Sequence, residues 1–176
     1  MKIISLLILS ILTLVGCGER AADIKNPNPY SKNGLKFSYP GNWTITSDEG
    51  SDSFHHLIVE TSGDGIVIIQ IYNAEDPISL EEYAADFSKS MSTSMPIGNV
   101  VNSKEVTKKS NSNTEINETF SIELLGQKVP HSRRFVLKKF GSQVCFLIFQ
   151  VPTEDKPNVI KGFELINSTI LKEKKS

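Results

Sequence analysis

Cysteine is scarce in this chain of 176 residues, which has only Cys17 and Cys145. Two cysteines cannot build the dense disulfide framework of a small secreted protein. An excess of one charge sign is also missing, since 19 lysine and arginine residues face 20 aspartate and glutamate residues. This balance gives no electrostatic footprint for binding nucleic acid, and we expect no nucleic-acid partner. With 39% hydrophobic residues, the composition predicts one ordinary globular domain and excludes intrinsic disorder, collagen and coiled coil.

The common sequence signatures of catalysis are absent as well. The chain has no G-x-S-x-G, H-E-x-x-H, C-x-x-C, P-loop, G-x-G-x-x-G or S-x-x-K motif. Histidine, the most frequent general base, occurs only at His55, His56 and His131. We therefore expect a non-enzymatic protein without a cofactor. The alternative is a hydrolase, or a small-ligand or metal-binding protein, whose site residues lie far apart in the sequence.

The N-terminal segment reads as an export signal. Lys2 precedes an apolar run that ends near Val15, which is typical of a secretory signal and too short for a spanning helix of about 20 residues. The run ends in Leu14, Val15, Gly16 and Cys17, which resemble the lipobox of bacterial lipoproteins. The resemblance implies cleavage before Cys17 and attachment of acyl chains, palmitate among them, to this residue. Stable membrane attachment needs more than one such chain.

These signals divide the chain into three predicted parts. Residues 1–16 form the lipoprotein signal peptide, residues 17–33 a lipidated flexible tether, and residues 34–172 the globular domain. The tether is polar and contains Asn26-Pro27-Asn28-Pro29, without helical or strand periodicity. The bilayer is then a partner through acylated Cys17. Because Gly18 is not an aspartate, we expect the outer membrane, facing the periplasm, if the cell is Gram-negative.

Alternating and continuous apolar runs predict most of the strands. The run 35–39 alternates, the pair Pro40-Gly41 matches the centre of a type II turn, and the segment from Trp43 to Thr46 returns as a strand. Further strands are predicted at 57–61, 66–72, 101–109, 114–125, 128–140 and 143–151, with Gly126-Gln127 and Gly141-Ser142 as hairpin turns. The runs 66–72 and 144–149 are apolar almost throughout. They must therefore be covered on both faces.

Two helices are predicted to supply that cover. The first begins after a capping box formed by Ser79 and Glu82, and its apolar stripe runs from Leu80 to Met95 before Pro96. The second begins between Thr153 and Pro157 and closes the chain. We predict an α+β fold: an α/β/α sandwich with helices on both faces of a central, mainly antiparallel sheet of about six to eight strands.

The segment from Gly34 to Trp43, the sequence Ser79-Leu80-Glu81-Glu82-Tyr83-Ala84 and the closing segment from Phe163 to Thr169 resemble the PsbP-like superfamily. This superfamily includes the extrinsic photosystem II subunit and bacterial envelope lipoproteins such as DcrB-type proteins. Its motif here is F-x-Y-P-x-x-W, formed by Phe37, Tyr39, Pro40 and Trp43, which we read mainly as a turn with its aromatic packing. The resemblance implies a non-enzymatic module that binds or supports protein partners.

One stretch could hold a divalent metal. Asp48, Asp52, His55 and His56 place carboxylates and imidazoles within a short distance along the chain, although their spacing matches neither an EF-hand nor a common zinc module. A solvated acidic loop that leads into a strand is the simpler interpretation. The sequence as a whole predicts a membrane-anchored envelope lipoprotein that acts as a binding or assembly accessory for an unidentified envelope protein.

Overall fold

The computed structural model describes residues 20–51, 54–73, 78–94, 99–109 and 114–173. They form ten strands and two helices. In chain order these are β1 (Asn28–Lys32), β2 (Leu35–Tyr39), β3 (Thr44–Gly50), β4 (Phe54–Glu60), β5 (Ile66–Asn73), α1 (Leu80–Ser94), β6 (Asn99–Lys109), β7 (Thr114–Leu124), β8 (Gln127–Phe140), β9 (Gln143–Pro152), α2 (Lys156–Thr169) and β10 (Leu171–Lys172).

Seven strands form the central antiparallel sheet, in the order β3-β4-β5-β9-β8-β7-β6. Strands β5 and β9 lie at its centre, which explains why their sequences are apolar on both faces. Phe146 and Ile148 point into one core cluster, while Leu147 and Phe149 point into the other. A helix covers each face, as the sequence predicts: α1 packs over Phe146 and α2 over Phe149.

Helix α1 begins with the predicted capping box. The Glu82 backbone N–H donates to Ser79 Oγ at 3.1 Å, and the Ser79 backbone N–H donates to Glu82 Oε2 at 3.1 Å. Tyr83 then stacks on Phe146 with ring centroids 3.8 Å apart. The stripe prediction is confirmed at Leu80, Tyr83 and Ala84, which are buried, whereas Met95 and Pro96 lie outside the described residues.

Helix α2 packs against both the large sheet and a small three-stranded sheet, β1-β2-β10, which no sequence pattern separates from the large one. Gly162 allows this close packing. A Cβ atom at this position would lie 2.5 Å from the Trp43 ring and 2.7 Å from Pro40 Cγ. Phe163 packs edge-on against the same Trp43 ring, with the two ring centroids 5.6 Å apart. The glycine that weakens helix propensity is therefore required by the aromatic packing.

Two of three predicted turns differ in detail from the structure. Pro40 is the first residue of its turn, because its carbonyl accepts the Trp43 N–H at 3.0 Å, and Gly41 has no positive φ, so this is not the predicted type II turn. The β7–β8 turn consists of Leu125 and Gly126, with φ of 50° and 79°, rather than Gly126-Gln127. The Gly141-Ser142 turn is as predicted, with φ of 64° at Gly141.

The domain begins earlier than predicted. Residues 28–32 of the expected tether form β1, which pairs along its length with β2. The carbonyls of Arg20 and Ala21 accept hydrogen bonds from Ser62 Oγ and Asn42 Nδ2, at 3.1 Å and 3.0 Å. Residues 20–33 therefore belong to the folded unit, because long-range backbone partners compensate for their polar sequence.

The antiparallel strands give the sandwich two distinct ends. The Arg20 end, as we name it, carries Arg20, the 40–43 turn, the 61–65 loop, the 153–158 segment and the β7–β8 hairpin. The opposite end carries the Asn33-Gly34 and Gly141-Ser142 turns, the last residue of β5 and the segment 172–173.

Candidate functional site

Two of the four predicted metal residues meet, but in a hydrogen-bonded cluster. Asp48 Oδ1 lies 2.8 Å from His55 Nε2 and accepts a hydrogen bond from the Tyr30 hydroxyl at 3.2 Å. Asp48 Oδ2 pairs with Lys32 Nζ at 2.9 Å. Burial raises the pKa of Asp48, but hydrogen bonds from His55 and Lys32 outweigh it and hold this pKa below its usual value. The cluster joins β1 of the small sheet to β3 and β4 of the large one.

A third predicted ligand, His56, is not part of this cluster. His56 lies on the opposite face of β4, where its Nδ1 is 3.1 Å from Gln70 Nε2, because adjacent strand residues point to opposite faces. Asp52 lies outside the described residues. Within the ranges that the structure covers, no three histidine, cysteine or carboxylate side chains are grouped to hold a metal ion. Of the four predicted ligands, Asp48 and His55 are therefore brought together, whereas His56 lies apart from them.

The predicted fold motif lies in the core. Phe37 and Trp43 are buried, and Tyr39 packs against the same core cluster. Cys145 is buried too, and burial raises the pKa of its thiol to about 12. It therefore stays a protonated, unreactive thiol at neutral pH. The lipobox residues Leu14, Val15, Gly16 and Cys17 lie outside the described residues.

A buried ionic network, which the sequence analysis missed, lies beneath α1. Arg133 and Glu118 pair at 2.8 Å, and their side chains are only 2% and 5% exposed. Ser88 Oγ of α1 lies 3.0 Å from the Arg133 guanidinium and 2.8 Å from Glu118 Oε2. Phe120 lies against the guanidinium plane at 4.4 Å. Strand alternation predicts that Arg133 and Arg134 point to opposite faces of the sheet. The partners of Arg133 are remote in sequence, so no local pattern predicts the network.

His131 is held in the same region as a neutral base. It stacks on Phe120 with centroids 5.4 Å apart, and its Nδ1 lies 2.9 Å from the Val129 carbonyl. Burial, reinforced by the charge of Arg133, lowers the pKa of His131 despite that carbonyl. Its ring is therefore part of the packing between β7 and β8.

Two concave sites are formed by residues that the structure describes. The smaller, of about 130 Å³, lies between α2 and the sheet beside Arg134, Phe149 and Lys156, and is below the usual size of a ligand site. The larger is a cleft of about 720 Å³ at the opposite end, which is within the usual range. We call it the end cleft. Its lining comes from five parts of the chain and includes Asn33, Asn73, Lys139, Phe140, Ser142 and Lys172.

The chemistry of the end cleft is polar and partly cationic. Lys139 and Lys172 supply positive charge, whereas the carboxylate of Glu173, which also lines the cleft, is paired with Lys36 at 2.7 Å. Asn33 and Asn73 supply amides, and Phe140 supplies an aromatic surface. Such a surface fits a polar or acidic peptide segment. No sequence pattern marks it, because its residues come together only through the two hairpin turns and the end of the chain.

Comparison with solved structures identifies the architecture. The chain is similar to the solution structure of cyanobacterial PsbP, CyanoP, from Synechocystis sp., with a TM-score of 0.55 at 13% identity, covering 85% of this chain and 94% of that one. The fold is PsbP-like. The sequence-based prediction of a PsbP-like α+β fold is thereby confirmed, whereas identity this low establishes the fold alone.

Two further structures are similar at a lower level. LpqN of Mycobacterium tuberculosis, which is involved in cell envelope biogenesis, has a TM-score of 0.43 at 10% identity, over 83% of this chain and 90% of LpqN. The Ran-binding protein Mog1p of Saccharomyces cerevisiae has a TM-score of 0.47 at 10% identity, over 82% and 94% of the two chains. No protein-family model and no curated protein matches the chain. Among its described residues, no helix is both long and apolar enough to cross a membrane.

Proposed function

We propose that this protein is an envelope lipoprotein, anchored through acylated Cys17, whose PsbP-like domain is a non-enzymatic binding or assembly accessory for another envelope protein. The observation that carries the proposal is the lipobox-like sequence Leu14-Val15-Gly16-Cys17 after a short apolar run. In a Gram-negative cell the anchor would lie in the outer membrane, with the domain in the periplasm.

The start of the folded unit supports an anchored arrangement. Only Gly18 and Glu19 separate Cys17 from Arg20, whose carbonyl already accepts a hydrogen bond from Ser62. Three residues span at most about 10 Å. An acylated Cys17 would therefore hold the Arg20 end close to the bilayer, in place of the longer tether expected from the sequence.

This placement makes the end cleft the natural partner site. The cleft lies at the opposite end of the sandwich, so it would face away from the lipid and remain accessible. Lys139 and Lys172 favour an acidic or polar segment of the partner. Residues that project from a rigid sheet are well suited to such recognition, because little ordering is needed on binding.

The proposal is tested by replacing Cys17 and by crosslinking from the end cleft. The Cys17→Ser variant should lose acylation and accumulate as the unprocessed chain, while Cys145→Ala should behave as the parent does. In the parent, a photo-crosslinking side chain at Ser142 should give a defined protein adduct, whereas the same group at exposed Lys161 on α2 should not.

The Cys17 replacement and the crosslinking experiment test separate parts of the proposal. Processing of Cys17→Ser at the same bond as in the parent, or an acyl mass on the parent that Cys17→Ser retains, would overturn the anchor. Identical adduct patterns from positions 142 and 161, or no adduct from 142, would overturn the assignment of the partner site while leaving the anchor in place.

A further inference from the structure

The β7–β8 turn contains a leucine, Leu125, at a position that is unfavourable for leucine in two ways. Leu125 is 97% exposed, so its side chain gains nothing from the core. Its φ of 50° lies in the left-handed region, where two-residue hairpin turns normally have Asn, Asp or Gly. An apolar residue that costs backbone energy and is surrounded by water points to a role outside the folded domain.

The hairpin is a firm support for this leucine. Glu123 pairs across the turn with Lys128 and on its other side with Asn99 of β6, so three strands continue nearly to the tip. Strand β9 ends at Pro152, opposite His131. On β8 the three residues from Gln127 to Val129 therefore extend beyond the end of β9, by roughly 10 Å at the rise of a β-strand, and the turn of Leu125 and Gly126 forms the tip.

The tip projects from the Arg20 end. With Cys17 acylated, Arg20 lies within about 10 Å of the acylated residue. The projection of the hairpin is comparable to this gap, which brings the tip within reach of the membrane surface. Ile24, 41% exposed, and Val129, 37% exposed, lie at the same end. Phe54, Ile78 and Leu171 are also exposed, but each is only about half as exposed as Leu125.

We propose that the β7–β8 hairpin is a second membrane contact, which inserts Leu125 into the interface of the bilayer that holds Cys17. The inference rests on the proposed lipid anchor. Insertion relies on apolar burial rather than on headgroup charge, because Lys128 is paired with Glu123 at 3.7 Å. Together the acyl chains and the hairpin fix the tilt of the domain, and they direct the end cleft away from the membrane.

A fluorescent label reports the depth of the tip. The acylated Leu125→Cys protein is labelled with an environment-sensitive maleimide dye and reconstituted into vesicles of phosphatidylethanolamine and phosphatidylglycerol. Cys145 is buried with a raised pKa and Cys17 is acylated, so the dye attaches at position 125. Ser142→Cys, exposed on the turn at the opposite end, is the matched control.

We expect a blue-shifted emission at position 125 that lipids with a quencher in the acyl chain suppress, and neither effect at position 142. A protein that floats with the vesicles but carries a water-exposed dye at 125 overturns this inference alone. A blue shift that the lipid quencher does not reach means a protein contact at the tip and also overturns it. A protein that does not float overturns the proposed anchor and this inference together.

Discussion

At the scale of single residues, Gly162 has the most sharply defined role. Replacing it with alanine places a Cβ 2.5 Å from the Trp43 ring, which is itself wedged against Phe163. Alanine is better than glycine in a helix by up to about 1 kcal/mol, whereas overpacking a core costs about 1–3 kcal/mol. We expect Gly162→Ala to lower the free energy of unfolding by about 1–2 kcal/mol.

Thermal unfolding, followed by the fluorescence of Trp43, is the appropriate measurement for this variant. Lys161→Ala, at the exposed neighbouring position, should leave the transition almost unchanged. A Gly162→Ala protein that is as stable as the parent, or more stable, would mean that the contact between Gly162 and Trp43 relaxes freely.

At the scale of elements, the Arg133–Glu118 pair fastens α1 to the sheet through Ser88. Removing one partner leaves an uncompensated buried charge, which costs about 3–5 kcal/mol. Glu118→Gln should therefore be strongly destabilising in chemical denaturation. Replacing both Arg133 and Glu118 with methionine should cost much less, because no buried charge remains.

The exposed Lys128–Glu123 pair is the matched control on the same two strands, with side chains 55% and 37% exposed. Glu123→Gln should change the free energy of unfolding by less than about 1 kcal/mol. Equal losses for Glu118→Gln and Glu123→Gln would contradict the importance of burial.

How far the elements could be predicted depends on where their stabilising partners lie. Ser79 and Glu82 are three residues apart, and the run 66–72 shows its two-sided burial directly, so α1 and β5 are readable in the sequence. Strand β1 buries only Tyr30 and gains its order from β2, which no local pattern reveals. The end cleft and the Arg133 network are assembled from remote segments, and Leu125 departs from the residue preferences of hairpin turns. None of these three features could therefore be predicted without the fold.

At the scale of the whole molecule, pH acts on stability through His131. Its folded-state pKa is lowered by burial, so the unfolded chain binds a proton more readily. The contribution of neutral His131 is fully present above about pH 6.5 and declines as the pH falls below that value. The parent should therefore melt at a lower temperature at pH 5 than at pH 7.5, and His131→Gln should show a smaller difference.

The Asp48 cluster occupies a separate window. Its lowered pKa means that its contribution is present above about pH 4 and is lost only as the pH falls further, through the folded pKa. Asp48→Asn should therefore leave the change between pH 7.5 and pH 5 intact. If His131→Gln has the same pH dependence of stability as the parent, protonation of His131 does not cause the loss of stability at pH 5.

The early start of the folded unit has one more consequence. Only Gly18 and Glu19 separate Cys17 from Arg20, so all copies of an acylated protein would have the same orientation relative to the membrane plane. They would diffuse laterally in a single layer. Encounter with a partner in the same membrane then becomes a two-dimensional search at a fixed height. Inserting a long glycine- and serine-rich spacer after Glu19 would let the distance between the domain and the membrane vary. The local concentration of the domain near its partner would then fall, while its fold would be unchanged.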